Sequence, residues 1–292
     1  MTKATLEPAR TTNSATPEGR QTSVLNSVSA LFTMTLARQA RSRRLLVLSL
    51  LYILPIGFAV LIRHNDAGWR GPTAGYEPAF AEFLLIFNLI PQALLPLTAL
   101  VYASGMIQDE IEEQTITYLL IRPLPRWTIY IAKLLATLIV TIALTAAFTA
   151  LTFLVIGWGQ PDYWRSGGLE RMGKTIVLFA LSLTAYNALF GLMSLLMRRA
   201  ILLGVGYIIL LEGFVSNIDF VIRKATVVYY FRVLSERWLN LGHADKFSID
   251  LSTAPDVRDC LLVLIVSSLT AMVLAALLMG SREFRVKTPE GS

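Results

Sequence analysis

Few residues in this chain could carry chemistry. The stretch "GLERMGKT", Gly168 to Thr175, fits G-x-x-x-x-G-K-T, a loop whose backbone N–H groups cradle phosphate. Glu212 is an acid inside an apolar run, "IILLEGFVSNI", where it would serve either a transport step or a buried pairing. Asp109, Glu110, Glu112 and Glu113 form an acidic cluster between two apolar runs. His64 and His243 lie far apart with no ligand-like spacing, and the single Cys260 excludes an internal disulfide and any Cys-based metal cluster. The apolar runs hold no Ser–His pair, Asp pair or metal set, so no catalytic residue, cofactor or metal is expected in this chain.

A phosphate loop needs a strand that delivers glycines to a helix start within an α/β domain. Upstream of Gly168 stands "GWGQPDYWRSG", which is turn chemistry, and downstream of Lys174 comes a long apolar run. Glu170 would face phosphate with the wrong sign. The expectation is therefore structural: Gly167 and Gly168 make a turn, Gly173 loosens the start of a helix, and Lys174 reaches toward lipid headgroups.

The composition sets the frame for these residues. Of 292 residues, 54% are hydrophobic and only 16% charged, and the charges fall between long apolar runs. An ordinary soluble domain is about a quarter charged, so this distribution is that of a membrane protein. The net charge of +6 reflects Arg and Lys flanking membrane segments and meeting anionic headgroups, not nucleic acid.

The pattern predicts an all-α integral membrane bundle. Residues 1–23 are polar and aperiodic and are expected to form a disordered cytoplasmic tail; 284–292 are expected to form a cytoplasmic tail. Over 24–43, Val24, Leu25, Val28, Leu31, Phe32 and Leu36 recur at helical spacing, ending in "RQARSRR", which predicts an amphipathic helix at the membrane surface. Six crossings are expected within 24–283, at about 45–62, 80–104, 129–157, 174–197, 200–218 and 260–280. Pro91 and Pro96 should kink the second. The third, rich in Ala and Thr, should allow close helix approach, and Asn88, Gln92 and Asn187 should bond between helices.

The loop over 105–127 carries the mechanism. Apolar residues Ile107 and Ile111 interleave with its acidic cluster and, with Leu119 and Leu120 beyond it, give a helical face. Arg122-Pro123-Leu-Pro125-Arg126 then ends the helix, since neither proline can continue it. Trp127 anchors the next crossing, and Lys133 lies one and a half turns in. This is a short charged lever joined to two membrane helices, and its apolar face needs a partner.

The order of acidic cluster, Thr115, "YLLIRPLPRW" and Lys133 resembles the loop of type-2 ABC exporter permeases, the membrane subunits of ATP-binding-cassette transporters. Glu110, Glu112, Thr115, Leu119, Leu120, Pro123, Arg126 and Lys133 fall on that family's positions, with Arg122 opening the proline turn. Gln114 replaces a frequent glycine. The flat basic helix and the six-crossing layout extend the similarity over nearly the whole chain. The resemblance implies that the loop is a coupling helix docking on a separate cytoplasmic ATPase, which holds ATP and Mg, and that the N-terminal helix also touches that subunit. It implies a second permease subunit, a switch between inward- and outward-open states, and short external helices over 219–259, with "VVYYFRVLSERWLNL". Glu212 is a candidate intramembrane functional residue on its own chemistry, as an acid within an apolar span.

Basic residues are nearly balanced between the two sides. The dense "RQARSRR" and the Arg198–Arg199 pair place both termini in the cytoplasm, with the chain multi-pass in the plasma (inner) membrane among its lipids. The alternative is a stand-alone integral membrane carrier or membrane enzyme.

Overall fold

The computed structural model of the protein describes residues 17–69, 78–112, 125–197, 199–217, 221–239 and 252–281. These residues are helical with short turns and include no strand, so the all-α membrane bundle holds.

Helix α1 spans Pro17–Ala40. It begins earlier than the apolar period does, so residues 17–23 are helical rather than part of a disordered tail; 1–16 lie outside the described residues. Periodicity could not reveal these roughly two turns, because they have no apolar face to repeat. Pro17 is tolerated at a helix start, where its missing N–H costs no intrahelical bond. After Arg41 and Ser42, α2 runs over Arg43–Trp69. A single rod, α3, is built from Pro78–Ala81, a widened π-helical stretch Glu82–Leu94 and the α-helical Leu95–Glu112. Pro91 sits inside the π-helical part, and the Leu95 N–H reaches back five residues to the Ile90 carbonyl. The rod therefore absorbs its proline by widening.

Helix α4 covers Arg126–Ile156. Helix α5 starts at Pro161–Tyr163, passes through Trp164–Gly168 and continues over Leu169–Leu196. Helix α6 joins Ala200–Tyr207 to the π-helical Ile208–Phe214. Two 3₁₀ turns, Val215–Asn217 and Val221–Ala225, precede α7, Val227–Leu239. The last helix, α8, is Val257–Ser281.

Five of these helices are long and apolar enough to cross a membrane: Arg43–His64, Pro78–Met106, Trp127–Ile156, Pro161–Leu196 and Val257–Ser281. The fifth expected crossing, 200–218, is corrected. Ala200–Phe214 is one of the shorter apolar helices. At ~1.5 Å per residue it reaches about 22 Å, short of a core about 30 Å thick.

The path is nevertheless completed. At one end of the bundle, Met106, Tyr130, Leu134, Leu195, Ala275 and Met279 pack together, joining the C-terminal parts of α3, α5 and α8 to the start of α4. This is the proximal end. At the other, distal end, Leu239 of α7 lines one cavity with Glu82, Tyr163 and Arg171. Arg237 pairs with Asp256 at 3.1 Å and donates to the Ala254 carbonyl at 2.8 Å, so α8 starts where α7 ends. The stretch 200–239 thus travels from proximal to distal end in two pieces. The first long helix begins, and the last one ends, at the same end of the bundle.

Apolar burial alone would not hold such helices together in lipid, so side-chain polar bonds matter. Thr137, Thr141, Thr145 and Thr149 repeat every fourth residue of α4 and are all buried. Gln39 of α1 donates to Thr137 at 2.8 Å, Asn187 of α5 donates to Thr141 at 3.3 Å, and Tyr52 of α2 shares a 2.9 Å bond with Thr145. Thr98 of α3 donates to the same Tyr52 hydroxyl at 3.2 Å. The sequence-based assignment of Asn187 as interhelical glue is met. The most buried rods are α3 and α5, with 61% and 56% of their apolar windows covered, against 22% for both α2 and α8. The first pair is therefore central, and the second turns most of its surface outward.

Replacing Tyr52 by Phe removes the shared hydroxyl between α2, α3 and α4 without changing ring volume. The expected cost is about 0.6–1.7 kcal/mol, read as a lower midpoint in detergent-resistant unfolding; an unchanged midpoint would show that the hydroxyl carries no weight.

Candidate functional site

The stretch 168–175 shows how local structure overrules a motif. Gly167 holds φ at 94°, a left-handed turn that a side chain would strain, so the glycine turn is met. Residues from Leu169 on are the opening turns of α5, an unbroken helix, and offer no loop of N–H groups aimed at a phosphate. Lys174 does not simply extend outward: its Nζ lies 2.7 Å from Glu170 Oε1, one turn back.

The expected coupling segment falls partly outside the described residues. Thr115, Leu119, Leu120, Arg122 and Pro123 are among those, while Glu110 and Glu112 lie in the last turns of α3 and Arg126 opens α4. The region 105–112 is thus helical and continuous with the second crossing. Pro125 caps α4 in an extended conformation, φ −63° and ψ 137°, and Trp127 is half exposed at the boundary of the span. Lys133 is buried, and its Nζ donates to the Met106 carbonyl at 3.4 Å. That bond crosses from α4 to α3 on either side of the segment 113–124. Gly105 leaves room here for α2: the guanidinium of Arg44, at the start of that helix, occupies the space a Cβ would take.

Glu212 occupies the break in the crossing. The residue is fully buried. Its carboxylate accepts from the backbone N–H groups of Val227 and Val228, each at 3.2 Å, and from the Tyr207 hydroxyl at 3.0 Å. Two of the unpaired donors at the start of α7 are thereby satisfied from a residue fifteen positions upstream, and the negative charge lies at the positive end of that helix. The Tyr186 hydroxyl of α5 stands beside this carboxylate but outside hydrogen-bond geometry. Ser216 donates its hydroxyl to the Glu212 carbonyl. Arg232 of α7, also buried, donates to the Ser216 carbonyl at 3.3 Å and to Gln92 Oε1 of α3 at 3.1 Å. One network therefore joins α3, α6 and α7.

Sequence reasoning singled out Glu212 and Gln92 but missed Arg232. It also set 219–259 as external helices. Residues 221–239 instead include a helix sunk against the bundle, with Val228, Tyr229 and Phe231 to Glu236 buried and Phe231 5.4 Å from Phe179 of α5; 219–220 and 240–251 lie outside the described residues. The signal was present in Tyr229, Phe231, Val233 and Leu234, which exceed what a solvated loop would carry.

A second unpredicted constellation closes the distal end. Glu82, an acid at the start of the second apolar run, is buried and pairs with Arg171 Nε of α5 at 3.2 Å. Tyr163 donates to its other oxygen at 3.0 Å, and the Arg171 guanidinium lies 5.1 Å from the centre of the Tyr163 ring. These residues line a cavity of about 560 Å³ with Pro78, Gln160 and Leu239. Among the described residues, no group of His, Cys, Asp and Glu could hold a metal ion.

Variants at two positions separate these readings. Glu212→Ala strands two buried N–H groups at about 1–3 kcal/mol each, and should lower the melting temperature by roughly 5–15 °C, while Glu212→Gln keeps one acceptor and should lose less. Equal melting of all three proteins would remove Glu212 from its capping role. Lys174→Ala should leave any ATP binding of the purified chain unchanged in titration calorimetry, whereas binding that vanishes with the lysine would restore the phosphate-loop reading.

The comparisons with known proteins bear on the whole of this arrangement. A family model described as ABC-2 family transporter protein matches residues 29–284, from α1 to just past α8. No curated protein matches the chain. The match takes in every membrane helix, the buried Glu212 network and the segment between α3 and α4, and by it the chain belongs to the ABC-2 family of transporter proteins, as a multi-pass ABC transporter permease.

Proposed function

We propose that this permease is half of an exporter driven by ATP hydrolysis in a separate cytoplasmic ATPase subunit, which carries the ATP and Mg. Two permease subunits, copies of this chain or paralogues, form the membrane part. The segment 113–124 docks on the ATPase, with Glu110, Glu112, Thr115, Leu119, Leu120, Arg122, Pro123 and Arg126 at or beside the contact. Both termini then face the cytoplasm of a cell whose plasma membrane the bundle spans.

The observation that supports this reading most is the Lys133–Met106 bond beside Gly105 and Arg44. The two helices that carry the docking segment are tied to each other within the apolar bundle, and Arg44 of α2 packs beside Gly105 next to that tie. A push on the segment therefore moves α3 and α4 as one body. Displacement of α3 then reaches the broken crossing through Gln92 and Arg232. The distal ends of α3 and α5 are held by Glu82 and Arg171, so the same displacement loads the cavity between them. Outward release follows naturally from this arrangement: motion enters at the proximal end and opens the path at the distal one.

Copurification tests the docking. The tagged permease, expressed with its ATPase, should bring that subunit down from detergent, and Thr115→Arg or Glu112→Lys should reduce the yield of ATPase by about tenfold or more, as expected when a charge is buried unpaired at an interface. Full retention of the ATPase by both variants would place the contact elsewhere. Purification of the chain alone, with transport intact, would favour the stand-alone carrier.

A further inference from the structure

We propose that the cleft under the α1–α2 elbow binds the phosphate of an anionic membrane lipid. The cleft encloses about 750 Å³. One wall is apolar, from Leu31 and Met34 of α1, and Met34 is 69% exposed. The opposite rim is basic, with Arg38, Arg41, Arg43 and Arg44 around the elbow and Lys133 at the floor. No carboxylate stands among the described lining residues. The depth is right for a headgroup: Arg43, Met106 and Trp127 mark the ends of three apolar spans at this level. An anionic phosphate held there would let acyl chains follow Leu31 and Met34 into the core, which a soluble anion has no use for.

A second observation points to a ligand. The Tyr102 ring lines the cleft and is 1% exposed, yet its hydroxyl, close to Ser42, makes no geometrically sound hydrogen bond. The carbonyl oxygen of Gln39, whose amide is spent on Thr137, is also buried without a partner. Buried polar atoms are nearly always satisfied, so such orphans at one cavity mark a place where a bound group belongs. A phosphate oxygen accepts from the tyrosine hydroxyl, and the headgroup's own hydroxyls donate to the glutamine carbonyl. Phosphatidylglycerol has both. Arg41 and Arg43 are exposed at the rim and supply charge without being part of the packed helix contacts. The inference depends on the membrane level of the elbow and not on the ATPase-coupling reading.

The test is native mass spectrometry of the full chain released from nanodiscs, with phosphatidylglycerol and phosphatidylcholine in competition. The wild type should retain phosphatidylglycerol in preference. The double variant Arg41→Gln/Arg43→Gln should weaken that retention by about tenfold to thirtyfold, the effect of removing two basic residues near an anionic surface. Tyr102→Phe should weaken it further while keeping the ring. Melting in pure phosphatidylcholine nanodiscs should be unchanged for the double variant, which separates lost binding from lost folding. Equal retention of the two lipids by the wild type would overturn the proposal, as would a double variant that still prefers phosphatidylglycerol. Complete displacement of the lipid by inorganic phosphate would assign the cleft to a soluble anion instead. If the double variant lost only a copurifying ATPase and kept its lipid, the rim would belong to a protein contact and the lipid site would be refuted.

Discussion

A helix that begins inside an apolar bundle exposes N–H groups that no water can reach, and an unpaired group of this kind costs several kcal/mol in lipid. The crossing from Ala200 to Leu239 contains such a start at Val227. Glu212 resolves it by folding its carboxylate back onto the N–H groups of Val227 and Val228. Most of what is distinctive in this bundle follows from that cap. It fixes where α6 must stop and how α7 sits beside α5. It also brings Arg232 to Gln92, so a buried cation and a buried anion stand within one connected set of helices. The cap works together with the apolar face of α7, where Val228, Tyr229, Phe231, Val233 and Leu234 are buried against the bundle.

The remaining helices meet the same constraint in cheaper ways. The π-helical part of α3 lets the chain pass Pro91 with a wider turn. Threonines repeated along α4 return their hydroxyls to their own backbone or to a neighbouring helix, as Thr141 and Thr152 do. These bonds are each worth little in lipid, about 0.6 kcal/mol on average. Their value lies in placement: each of α1, α2 and α5 has a defined partner on the stripe, so α4 acts as the spine against which the others are registered. A permease that must switch states gains from ties that are specific but weak. The stronger charged contacts sit at the distal end, between Glu82 and Arg171, and in the break itself.

The membrane character, the approximate boundaries of four of the five long spans and the rejection of the phosphate loop were legible in the sequence; α5 starts at Pro161 and not at the expected 174, because its opening turns are polar. Apolar length, turn residues around Gly167 and the like-charged Glu170 are local properties, and local properties survive into the fold. The role of Asn187 was legible for the same reason, since an amide in an apolar span has to find a partner on another helix. The acidic cluster and "YLLIRPLPRW" pointed to the coupling segment, and the family match over 29–284 agrees with the resemblance they carried.

What the sequence could not determine is where polar residues far apart in the chain would meet. An apolar stretch over 200–218 reads as a crossing because hydropathy measures length and not whether the helix continues. Only the folded structure shows the helix giving way after Phe214 to a 3₁₀ turn, with Glu212 bonded to N–H groups fifteen residues on. Glu82 and Arg171 are separated by most of two spans, and Arg232 from Gln92 by more than three. Each of these residues alone resembles a loop or interface charge. Sequence fixed the solvent each segment would prefer, through its own side chains; the folded bundle chose the pairings, because only there does the cost of an unpaired buried charge select one partner from many.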